Sequence, residues 1–83
     1  MLADAITQAE ERYYQIISES IHREIRQRGV TQGWIKDEIL TRLGITIAQS
    51  TISKIINYKG KGHLSLIFVA AICQVLDLDM TGF

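Results

Sequence analysis

Apolar residues recur at three- and four-residue intervals over most of the chain, and clean alternation of apolar and polar positions is confined to the neighbourhood of Leu43 to Ile47. That is a helical period, and it predicts an all-α domain, a small bundle of four to five helices. A first helix is expected after Asp4, a good N-cap, running to about Arg28, where Gly29 can take the left-handed conformation that ends helices. Its apolar positions fall on two faces about 100° apart. One holds Leu2, Ile6, Ala9, Tyr13 and Ile16, the other Tyr14, Ile17, Ile21 and Ile25. The two faces are expected to pack against different things.

Thr31 is the expected N-cap of a second helix whose apolar stripe is Trp34, Ile35, Ile39, Leu40 and Leu43, with Gly44 as its stop. Lys36, Asp37, Glu38 and Arg42 face water. A third helix fits Ala48 to Asn57, burying Ile52, Ile55 and Ile56 and exposing Gln49, Ser50, Thr51, Ser53 and Lys54. The segment Tyr58-Lys59-Gly60-Lys61-Gly62-His63 then reads as a flexible basic loop, because its glycines interrupt regular structure. A fourth helix, capped by Ser65 and ending near Leu76, is apolar nearly all round. Leu66, Val69, Ile72, Cys73 and Leu76 line one side and Ile67, Phe68, Ala71 and Val75 the other, so burial on both sides is expected.

Size narrows the functions available. An 83-residue chain with 47% hydrophobic residues builds one modest core and no cleft between two domains. The longest mainly apolar stretch, Leu64 to Leu78, is too short to span a bilayer, and no signal pattern opens the chain, so a cytoplasmic protein without membrane contact is expected. Cys73 is the sole cysteine, and no suitably spaced histidine supports a metal site. It reads as a core residue. No serine has a recognisable base partner and no carboxylate pair marks a pocket, so neither an enzyme, a cofactor nor a small-molecule substrate is expected.

Nine basic residues balance nine acidic ones, which taken alone argues against nucleic acid. The distribution says otherwise. Residues 23–61 carry eight cations (Arg23, Arg26, Arg28, Lys36, Arg42, Lys54, Lys59 and Lys61) against three anions, Glu24, Asp37 and Glu38. Residues 1–22 carry four anions against Arg12 alone, and residues 62–83 add Asp77 and Asp79. DNA contact is therefore expected on one face, with the acidic ends pointing away from it.

Two helices joined by a connection, the second opening on small polar residues, match what a helix-turn-helix needs to enter the major groove. Gln49, Ser50 and Thr51, in the first turn of the third helix, are placed for base readout. Ser53 shares the exposed face, and Lys54, one turn beyond Ser50, suits a phosphate. Lys59 and Lys61 fit the flank of the duplex, with Tyr58 as a further phosphate donor. The residues Thr31-Gln32, Gln49-Ser50-Thr51-Ile52-Ser53-Lys54-Ile55, Asn57, Leu66, Ile72 and Leu76 resemble the lambda-repressor-like (Cro/Xre) helix-turn-helix family over about Ile21 to Leu78. That resemblance implies a homodimer on a double-stranded operator with two half-sites, and phosphate contacts from Gln32 and Asn57. It sets the chain out as one DNA-binding domain over 1–83, with an N-terminal helix extension at 1–20 and the helix-turn-helix at 31–57.

The chain departs from the family pattern in three places. About six extra residues separate Thr31 from Gln49, and Gly44 to Thr51 looks like the extended turn of some phage repressors, which points to a phage or mobile-element repressor. The loop before the fourth helix is about two residues longer than usual, with Tyr58 where glycine is common. The chain also stops at Phe83 where many relatives continue, as a minimal regulator or an excised domain would. Against DNA binding stands a protein-interaction module of the same fold, antitoxin-like or an adaptor, which zero net charge and the two-sided fourth helix favour. Tyr13 and Tyr14 read as packing residues or as part of a dimer interface, and His22 and His63 as solvent-facing. The acidic half of the first helix is expected to fold back on Ile67, Phe68, Ala71 and Val75, or to pair with a second subunit through them.

Overall fold

Four helices follow one another in the computed structural model, which describes residues 2–78: α1 (Leu2–Arg28), α2 (Gln32–Leu43), α3 (Gln49–Ile56) and α4 (Leu66–Val75). The fold is all-α. The molecule measures 43 × 24 × 21 Å, and its long dimension is α1 itself, since 27 residues at 1.5 Å each reach about 40 Å. α2 packs on α4 and α3, while α1 packs on α3.

Local chemistry accounts for the helix ends. Thr31 adopts an extended backbone and its Oγ1 accepts the Trp34 N–H at 3.0 Å, capping α2. Gly44, at φ 67°, closes the same helix by donating its N–H to the Leu40 carbonyl at 3.0 Å. α1 starts earlier than expected. Asp4 lies inside its first turn, where a carboxylate complements the positive end of the helix dipole, and it is not the N-cap. Ser65 does precede α4, but its side chain makes no cap hydrogen bond.

The core is rich in isoleucine. Ile21, Ile35, Ile39, Ile52 and Ile72 are fully buried, with Val69 and Leu76 beside them. Ile47, from the lengthened connection between α2 and α3, is also buried, so that segment is anchored in the core. Of the two faces of α1, the one with Tyr14, Ile17 and Ile21 is buried. The acidic half does not fold back onto α4: Leu2, Ile6 and Ile67 are all exposed. Ala71 and Val75 are instead covered within the core, where α4 meets α2 and α3. Burial of α4 on both sides fails at its first turn, where Leu66 and Ile67 face solvent, and Leu40 likewise projects outward from α2. Trp34 is half-buried against the core.

Cys73 is buried, and desolvation pushes its thiol up to about 11. At pH 8 the thiolate is then about one part in a thousand. Native protein should resist a maleimide at this pH while the urea-unfolded chain reacts readily. Equal labelling rates in both states would contradict this placement.

Candidate nucleic-acid interface

α3 owes its orientation to three buried isoleucines, Ile52, Ile55 and Ile56, which leave Gln49, Ser50, Lys54 and Asn57 exposed and Thr51 and Ser53 half-buried. Ala48, at its N-cap position, has no side-chain acceptor. The Thr51 N–H donates to the Ala48 carbonyl at 3.0 Å, so the Gln49 and Ser50 N–H groups are the ones left for an external acceptor, water or a phosphate. At the other end, buried Ser18 of α1 donates its hydroxyl to the Ile56 carbonyl at 2.9 Å, fixing the helix from below. The Asn57 carboxamide nitrogen donates to the Ser53 carbonyl at 3.0 Å and to Ser53 Oγ at 3.2 Å. Asn57 thus ends α3, and it reaches a phosphate only by releasing one of these bonds.

The loop after α3 differs from its sequence reading, because it is tied down. Tyr58 is buried, and its hydroxyl donates to the Gly62 carbonyl at 2.7 Å. It organises the loop and does not stand free as a phosphate donor. Gly62, at φ 93°, donates its N–H to Glu11 Oε2 at 2.7 Å. His63 Nδ1 lies 2.6 Å from Glu10 Oε1. The Tyr14 ring meets the rings of Tyr58 and His63 edge-on, at 5.9 and 5.8 Å. Burial first, and then the nearby glutamates, push the Tyr14 and Tyr58 hydroxyls upward, so both stay protonated donors. Gly60, at φ 82°, has no room for an unadjusted side chain, because a Cβ there would come 3.2 Å from Gln15 Oε1.

A groove of about 530 Å³ results between the exposed face of α3 and this loop. Its lining brings together Ser50, Ser53, Lys54, Asn57, Lys59 and Lys61 above Tyr58. Gln49 and Thr51 lie at the start of α3 and Gln32 opens α2, and these three are not part of that lining. A second groove, of about 570 Å³, runs along α1 beside Ile56 and Tyr58 and carries Arg23, Arg26 and His22 against Glu19. The acidic half of α1 does not point away from the basic loop as expected, since Glu10 and Glu11 bond to it. His63 is exposed, as expected, and is paired as well.

Sequence reading did not find Ser18, Glu10, Glu11 or Gln15. Ser18 left one signal: it is a polar residue inside the stripe of Tyr14, Ile17 and Ile21, where a buried hydroxyl needs a partner. Replacing Glu11 with Ala should release the Gly62 amide, raising its hydrogen-exchange rate at least about tenfold. Unchanged protection would mean that the carboxylate does not hold the loop.

The chain matches no protein-family model, no curated protein and no solved structure. Among the described residues there is no group of three or more His, Cys, Asp or Glu side chains that could hold a metal ion. Nor is any helix among them long and apolar enough to cross a membrane.

Proposed function

We propose that the protein is a sequence-specific double-stranded DNA-binding transcriptional regulator that reads the major groove with α3. What carries this reading is the groove between α3 and the loop, whose lining brings Lys54, Lys59 and Lys61 together with Ser50, Ser53 and Asn57. Gln49, Ser50 and Thr51 read base edges, and Lys54, Lys59 and Lys61 contact phosphates on the flank. Gln32 and Asn57 take phosphates by the family resemblance, which also favours a phage or mobile-element repressor working as a dimer in the cytoplasm. The reading needs no cofactor, metal or reaction.

Selection of bound sites from a random duplex pool tests it. An enriched motif is expected, and Gln49→Ala or Ser50→Ala should change preference at one or two positions by about 1–3 kcal/mol. A pool that enriches nothing at moderate salt overturns the reading. It would favour the protein-interaction module, for which exposed Leu66 and Ile67 at the start of α4 speak.

A further inference from the structure

The groove along α1 is lined by buried Ser18, Ile56 and Tyr58 and by exposed Glu19, Arg23 and Arg26. Arg23 and Arg26, three residues apart, lie on one side of the helix. Their charge is uncommitted. Arg28 pairs with Glu24 and Arg42 with Glu38, whereas neither Arg23 nor Arg26 has an ion-pair partner among the described residues. Arg26 stands in the last turn of α1, where a cation complements the helix dipole, but Arg23 does not. Glu19 takes a hydrogen bond from Gln15 Nε2 at 3.1 Å, one turn further from the arginines.

We infer that this groove holds a second stretch of DNA backbone, with Arg23 and Arg26 on phosphates of the strand opposite the one that Lys59 and Lys61 contact. This rests on the proposed DNA-binding function. A helix about 10–12 Å across fills a major groove about 12 Å wide, so one strand's backbone passes along each of its flanks. The loop lysines occupy one flank. Lys54 lines their groove and Ile56 lines the α1 groove, and at 3.6 residues per turn these two point about 160° apart around α3. The arginines therefore belong to the other flank. Tyr58 lines both grooves, so the two cationic surfaces adjoin at the end of α3.

The end of a helix presents unpaired carbonyls that repel a phosphate, and at α3 three of these are covered. Ser18 donates to the Ile56 carbonyl at 2.9 Å, the Tyr58 N–H to the Ile55 carbonyl at 3.4 Å and the Asn57 N–H to the Ser53 carbonyl at 2.9 Å. Arginine suits the position, because its planar fork takes a phosphate through two parallel hydrogen bonds. An acidic protein segment would use the same guanidinium groups. Continuity with the lysine groove favours one long polyanion over a short segment.

Arg23→Gln with Arg26→Gln in the full chain, on the duplex that the wild type selects, tests the inference. Both positions are exposed, so an unchanged melting temperature confirms that the variant is folded. The slope of log K against log salt should become shallower by about 1.8, at about 0.9 for each contact, and Arg23→Lys with Arg26→Lys should restore it. Arg12 lies outside both grooves, and Arg12→Gln should leave the slope unchanged. Phosphate ethylation locates the contacts. Within one half-site, interference should be lost on one strand in the arginine variant and on the other strand in Lys59→Ala with Lys61→Ala. An unchanged slope, or loss on the same strand in both variants, overturns the inference. An unchanged slope beside poly-glutamate binding that the arginine variant loses gives the groove to an acidic protein segment. A wild-type chain that selects no motif rejects the proposed function, and the arginine contacts fall with it.

Discussion

Replacing Ile52 with Ala is expected to remove about 2–5 kcal/mol of stability, through lost burial and the cavity left where the side chain cannot be replaced by collapse. Ile52 is fully buried at the middle of α3, the helix on which α1, α2 and α4 all pack. A domain of this size has on the order of 4–12 kcal/mol in total, so the loss is about a sixth of it at the least and can approach the whole. Thermal unfolding followed by circular dichroism should show a midpoint lower by about 10–30 °C. Leu40→Ala serves as the control, because Leu40 is 53% exposed and its truncation should cost less than about 0.5 kcal/mol. Equal losses for the two variants would mean that α3 is not packed as described. Ile52→Val, at about 0.5–1.5 kcal/mol, keeps the fold and separates a stability effect from any effect on DNA binding.

Local chemistry was legible in this chain and long-range pairing was not. Thr31 and Gly44 declared the ends of α2 because capping depends on neighbours three or four residues away. The buried side of α3 was legible for the same reason, since Ile52, Ile55 and Ile56 repeat at the helical period. Periodicity also separated the two faces of α1 but could not say which one the fold covers. Both carry large apolar side chains, and the choice depends on where α3 and the loop arrive. The same limit explains Leu40 and Leu66, apolar residues on periodic stripes that the fold leaves exposed.

The loop shows the limit most directly. Two glycines interleaved with Lys59, Lys61 and His63 signal a break in regular structure, and Gly60 and Gly62 do adopt positive φ. The bonds that hold the loop come from Glu10 and Glu11, some fifty residues earlier in the chain, which no local pattern could associate with it. Tyr58 was misjudged because a tyrosine offers an apolar ring and a polar tip, and only the tertiary fold decides which of them is used. Here the ring packs under the groove and the hydroxyl closes the loop on Gly62. As a consequence, the candidate site is built by the acidic helix as much as by the basic segment.

The lysines are the cleanest probe of that site. Lys59 and Lys61 are exposed, line one groove and have no ion-pair partner among the described residues. Removing them should therefore leave stability within about 0.5 kcal/mol. If each neutralises one phosphate, Lys59→Ala with Lys61→Ala should make the slope of log K against log salt shallower by about 1.8. Phosphates carry no sequence information, so affinity should fall alike for the selected site and for random duplex, and the selected motif should not change. Gln49→Ala should do the reverse, altering the motif with little change in slope, because a neutral side chain at a base edge displaces no counterion. Glu10 and Glu11 oppose the lysine field at close range, so Glu10→Gln should strengthen non-specific binding slightly at low salt, an effect lost as salt rises. Fluorescence anisotropy across a salt series compares the three variants with the wild type on the same duplexes. An unchanged slope in the double lysine variant would remove the loop from the interface and leave α3 to bind DNA without it.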